Sequence, residues 1–96
     1  MTFEWDARKA AVNPRKHKIT FEQADTAFRD PGAMTFADPD HCGEELREIT
    51  IGHTEEGYLL FISHCERDDR MRIISARAVT AGERRQYEEG SESQIH

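Results

Sequence analysis

Apolar and polar residues recur with different periods along the chain, and each change of period marks an element. Near the N-terminus, residues 2–5 read as a short strand or an extended entry, with Asp6 as a helix N-cap. Ala7, Ala10 and Ala11 follow at helical spacing, but Pro14 removes a backbone donor and disfavours helix at Asn13. A break or kink is therefore expected near Asn13, with Pro14 opening a second short turn through His17. Phe21, Ala24, Ala27 and Phe28 then form an amphipathic stripe, opened by the capping-box pair Thr20 and Gln23 and ended by Asp30-Pro31-Gly32.

The period then shortens to two. Residues 34–37 form a short candidate strand, and residues 38–43 read as a loop. Arg47, Ile49, Ile51 and His53 alternate with Glu48, Thr50 and Gly52 as in a strand buried on one side. Glu55-Glu56-Gly57 makes a turn into the apolar run 58–65, and residues 66–70 make a second turn. Three successive strands joined this way predict an antiparallel meander. In its last strand Met71, Ile73 and Ser75 alternate with Arg72, Ile74 and Ala76. Apolar residues on both sides of Ile73-Ile74 indicate little exposure on either face. One core is expected from Phe21, Phe28, Ile49, Ile51, Leu60, Ile62, Ile73 and Ile74. Thr80 and Glu83 fit a second capping box, which starts a C-terminal helix, and residues 90–96 are polar and expected to fray.

These elements define an α+β class for one 96-residue domain, placed at residues 1–90, with 91–96 as a polar tail. No run approaches the length of a membrane span, and the N-terminus has no apolar signal-peptide segment. The expectation is a cytoplasmic protein with no membrane association, in which Cys42 and Cys65 are free thiols.

Charge changes the picture, because the net −6 is unevenly spread. Residues 1–18 total +3, from five bases against Glu4 and Asp6, and residues 71–87 total +3, from four arginines against Glu83. Residues 37–69 total −8, from ten acids against Arg47 and Arg67, and the last nine residues add −3. If the two basic stretches meet, they make a local positive site on an acidic body, which itself weakens non-specific nucleic-acid binding.

The chemistry is concentrated where the last strand meets the last helix. Arg77 ends a mostly apolar strand, a position where Arg commonly meets an anion. Arg84 and Tyr87 share a helix face, so Arg77, Glu83, Arg84 and Tyr87 can converge. The plain alternative is that Arg84 and Arg85 are solvated and Glu83 is only a cap. His41-Cys42 and His64-Cys65 are adjacent pairs, a poor match to zinc-ligand spacing, and no metal or cofactor is expected. Nucleophile-elbow, phosphate-loop and dinucleotide motifs are absent from the sequence. The remaining Arg, Lys, His, Tyr and Glu groups suit metal-free cleavage of RNA, with His17 as the natural titrating group. They equally suit anion or partner binding.

These residues resemble the BrnT toxins of bacterial toxin–antitoxin systems. The resemblance is carried by FEWD at 3–6, Lys9, Asn13, Lys16-His17, FEQA at 21–24, Phe28-Arg29-Asp30-Pro31, Glu45, Arg47, Ile51-Gly52 and RIISARAVTAGERRQYE at 72–88. It implies a RelE-like fold with N-terminal helices, an antiparallel sheet of about four strands and a C-terminal helix. It further implies an endoribonuclease acting on RNA and blocked by a BrnA-type antitoxin, through which operator DNA is reached only indirectly. Under that resemblance the catalytic candidates are Lys16, His17, Arg77, Glu83, Arg84 and Tyr87, with Lys9 and Arg47 for substrate phosphate. The alternative function is a non-catalytic protein that keeps only the antitoxin-binding surface. Lys18 stands where the family commonly has Gly; such a Gly ends a helix in a left-handed conformation, which Lys tolerates poorly, so a reshaped turn is expected.

Overall fold

The computed structural model describes residues 2–38 and 46–95. Two strands flank a central meander, and helices lie on both faces of the sheet. The elements are β1 (Thr2–Trp5), α1 (Ala7–His17), α2 (Phe21–Thr26) with a 3₁₀ turn (Ala27–Arg29), β2 (Met34–Ala37), β3 (Arg47–His53), β4 (Leu59–Arg67), β5 (Arg70–Ala78) and α3 (Ala81–Ile95). The strand order is β1-β5-β4-β3-β2.

The meander is present as expected, with β3, β4 and β5 antiparallel. The sheet as a whole departs from the expectation of about four antiparallel strands. It has five strands and is mixed, because β1 pairs with β5 in parallel, Trp5 lying opposite Ile73. A four-residue strand carries too little pattern to announce its partner. The RelE-like description therefore holds only in outline.

Paired residues in adjacent strands point to the same side of a sheet, so the register separates two cores. On the upper face Leu60, Ile62, Ile73 and Ala76 pack with Ile19, Phe21, Ala24 and Ala27 of the α1–α2 layer. On the lower face Ile49, Ile51 and Leu59 pack with Tyr87 of α3. The single core expected from the sequence is thus split by the sheet, and Ile74 is only half-buried. Gly52 sits where the sheet meets the 3₁₀ turn. A Cβ there would lie 2.7 Å from the Ala27 carbonyl oxygen, so no larger residue allows this approach.

Helix α1 runs unbroken through Pro14, so the expected break near Asn13 is absent. Tertiary anchoring outweighs local preference here. Asp6 Oδ1 accepts the N–H groups of Arg8 and Lys9, which fixes the start of the helix. The buried Asn13 side chain fixes its middle. β1 covers β5 only over residues 70–73, and beyond that point the edge needs other partners. Asn13 Oδ1 accepts the Ala76 N–H at 3.2 Å, and Asn13 Nδ2 donates to the carbonyls of Ala76 and Ile19 at 2.9 and 2.7 Å. Lys18 nevertheless closes the helix in the left-handed region (φ 62°), so the turn is not reshaped by the Lys. Both capping boxes form, and α3 continues past Gly90 to Ile95, where the sequence suggested fraying.

Candidate active site

Helix α1, which carries the first basic stretch, packs against β5, where the second begins, but the bases that line the groove between them all belong to α1. The last turn of α1 carries Arg15, Lys16 and His17, where cations are favoured by the helix dipole. A groove of about 300 Å³ runs between this helix and the strand, lined by Arg8, Lys9, Val12, Asn13, Lys16, His17, Ile74 and Ser75. Three of the expected residues, Lys9, Lys16 and His17, therefore share one wall. They stand over an apolar floor of Val12 and Ile74. Asn13 was not assigned a role from sequence, yet its bonds to Ala76 hold that wall in place. The signal for it was its helical spacing from Ala10, which puts a polar residue on the core-facing side.

Arg77 and Glu83 form the second part. Arg77 Nη1 and Nη2 donate to Glu83 Oε1 and Oε2 at 2.8 and 2.9 Å, a two-pronged pair. The guanidinium also lies 4.0 Å from the centre of the Phe61 ring. The hydrogen bonds from Arg77 hold the Glu83 carboxyl below its ordinary pKa, and the same bonds raise that of Arg77. Glu83 also accepts the Thr80 N–H at 2.9 Å, so one carboxylate both caps α3 and orients Arg77.

Tyr87 does not join them. Its hydroxyl donates to Asp30 Oδ2 at 2.7 Å and lies 3.1 Å from His53 Nδ1. Asp30 Oδ2 also accepts the backbone N–H of His53 at 2.7 Å. Burial alone would raise the Asp30 carboxyl, but the bonds from His53, Tyr87 and Gly32 outweigh it and lower its pKa. This cluster joins the end of α2, the end of β3 and the middle of α3. Arg84, one helical turn before Tyr87, is exposed. Arg47 is exposed at the start of β3, on the lower face.

Among the described residues, no group of three or more His, Cys, Asp or Glu is placed to hold a metal ion. His64 and Cys65 are neighbours on β4 and so point to opposite faces. His64 lies in the upper core, its Nε2 2.7 Å from Thr50 Oγ1 and its ring edge-on to Phe28. Cys65 is buried on the other face. His41, Cys42 and Glu45 lie outside the described residues. No described helix is long and apolar enough to cross a membrane.

Comparison with known proteins agrees with this architecture. No curated protein matches the chain. The crystal structure of the Brucella abortus ribonuclease toxin BrnT shares the fold, with a TM-score of 0.66 at 23% identity, over 83% of this chain and 97% of that one. Residues 5–83 match the family model described as the ribonuclease toxin BrnT of type II toxin–antitoxin systems. That span runs from Trp5 on β1 through the Arg77–Glu83 pair, and the chain belongs to the BrnT family of ribonuclease toxins.

Proposed function

We propose that this protein is an endoribonuclease toxin that cuts RNA through the 2′-hydroxyl without a metal ion and is neutralised by a BrnA-type antitoxin. The observation that supports this reading is the groove between α1 and β5, in which Lys9, Lys16 and His17 stand beside Ile74 and Ser75, two residues before Arg77. One of His17 and Lys16 takes the 2′-hydroxyl proton, and the other, or a water molecule, protonates the departing 5′-oxygen. The 2′-oxygen attacks phosphorus as the bond to the 5′-oxygen breaks, leaving a 2′,3′-cyclic phosphate and a 5′-hydroxyl. Arg77 and Arg84 hold the phosphate as its negative charge grows, with Lys9 and Arg47 on neighbouring phosphates. Glu83 holds the Arg77 guanidinium over the Phe61 ring, and Tyr87 supports the site by fixing α3.

The test is cleavage of RNA by purified protein. His17→Ala should slow it by roughly 10²–10⁴-fold, as expected for loss of a general acid or base. If Lys16 carries the proton, the large loss falls on Lys16→Ala instead. RNA with 2′-O-methyl groups should resist cutting, EDTA should have no effect, and the co-expressed antitoxin should co-purify and block the reaction. Activity that EDTA abolishes and Mg²⁺ restores would overturn the mechanism. A protein that binds its antitoxin and never cuts RNA would replace the enzyme with a non-catalytic binder.

A further inference from the structure

Strict alternation along β5 would put Arg72 and Arg77, five residues apart, on opposite faces of the sheet. The register shows otherwise. Cys65 pairs with Arg72, His64 with Ile73, Ser63 with Ser75 and Phe61 with Arg77, so Ile74 is an extra residue in a β-bulge. The packing bears out the change of phase: Ile73 and Ala76, three residues apart, both lie in the upper core. The bulge therefore brings Arg72, Ser75 and Arg77 to the lower face together. Arg47 pairs with Cys65 as well, so Arg47, Cys65 and Arg72 form one row across three strands.

We infer that Arg72 is a phosphate-binding residue and that the lower face beside β5 carries the single-stranded RNA backbone. This rests on the ribonuclease reading above and extends its substrate site from the α1 groove onto the sheet. Arg47 and Arg72 are two strand spacings apart, about 10 Å at the Cα atoms. Arg72 and Arg77 are separated by the four residue steps from Cys65 to Phe61 on β4, roughly 13 Å. Ser75 lies between Arg72 and Arg77 and also lines the α1 groove, so the two surfaces are continuous. The acids near this row are already engaged or balanced. Glu4, paired with Arg72 in register, lies 3.7 Å from Arg70, and Glu83 is held by Arg77. Asp68 shares a depression with Glu4, Arg70 and Arg72, and Asp6, which caps α1, also feels the charge of Arg72. Among the described residues, no ion pair or hydrogen bond engages the Arg47 or Arg72 side chain. An arginine row of this kind complements a polyanion.

Binding of a short 2′-O-methyl oligonucleotide, measured against salt concentration, tests this apart from cleavage. Each phosphate contact on a single strand contributes about 0.7 to the slope of log affinity against log salt. Arg72→Ala should lower both affinity and slope by one such contact, and Arg72→Lys should restore the slope. Arg29→Ala, an exposed arginine paired with Glu55 elsewhere on the surface, should leave both unchanged. If wild-type protein binds and Arg72→Ala keeps its slope while Arg77→Ala loses it, the assignment of Arg72 falls alone. If Arg72→Ala weakens only the antitoxin, the face belongs to the protein partner and the inference is overturned. If wild-type protein does not bind the oligonucleotide at all, the ribonuclease reading falls with it.

Discussion

The two faces of the sheet hold their helices by different physics. On the upper face α1 and α2 bury Phe21, Ala24 and Ala27 against Leu60, Ile62 and Ile73, all nearly inaccessible to solvent. Asn13 adds hydrogen bonds that replace a missing strand partner. On the lower face α3 is polar almost all round and buries chiefly Tyr87. Polar ties fasten it instead: Glu83 to Arg77 near its start and Tyr87 to Asp30 in its middle. Helices that are polar all round depend on such pairs. The upper face is thus built for stability, while the lower face combines a smaller apolar cluster around Tyr87 with the arginines of β3 and β5.

The sharpest way to break this comparison is to cut a side chain from the upper core. Ile73→Ala should cost about 2–5 kcal/mol, the range for truncating a buried Ile, read from the urea midpoint at constant m-value. An unchanged midpoint would mean that β5 does not bury Ile73 under α1 and α2. Acid should strike the same face. Burial lowers the pKa of His64 from 6.5 to about 4, because the charged ring has no favourable site there. A His whose folded pKa is depressed contributes fully above its unfolded pKa, and that contribution is lost as pH falls. Between pH 6.5 and 4 the loss should reach about 3 kcal/mol. His64→Gln should flatten that limb. The further loss below it, as Asp30 and Glu83 gain protons, should remain, since both have lowered pKa values.

What could be read in advance follows the same division. The meander, both capping boxes and the stripe of α2 were legible because each is a local pattern repeated over several residues. The partner of β1 was not, because Thr2–Trp5 offers only four residues and its contact lies almost seventy residues away. Pro14 misled, since its local penalty is visible in sequence while the Asn13–Ala76 bonds that override it are not. In the site, Lys9, Lys16 and His17 were grouped by nearness in sequence, and Arg77 with Glu83 by the capping-box spacing. Tyr87 shares a helix face with Arg84 on paper, yet its hydroxyl is drawn to Asp30, 57 residues away. That Arg72 shares a face with Arg77 is not legible in the sequence, because one bulged residue reverses the alternation and no local pattern announces a bulge.

Tyr87→Phe sharpens the comparison on the lower face. It keeps the ring in its apolar site and removes only the hydroxyl that donates to Asp30. One such bond to a carboxylate is worth roughly 1.5–3 kcal/mol when both partners are well placed. His53 still donates its N–H to Asp30, so the loss should lie at the low end. Amide exchange should show where it falls: faster in α3, unchanged in α1 and α2. Equal acceleration in all three helices would mean that α3 is as much a part of the main body as α1.

The smallest change belongs to the end of α1. Lys18 holds a left-handed conformation, which costs a residue with a Cβ about 1–2 kcal/mol relative to right-handed backbone. Gly adopts it without that penalty, although it gives up more conformational freedom on folding. Lys18→Gly should therefore stabilise the protein by about 1 kcal/mol, less than the full steric cost. Because α1 is bound to β5 through Asn13, this gain should appear in global unfolding, as a higher urea midpoint and slower exchange in the central strands. A strained residue in a helix that opens independently would instead slow exchange only in that helix. Finding the gain confined to α1 would show that the upper layer, despite its buried apolar contacts, opens in parts just as the lower one does.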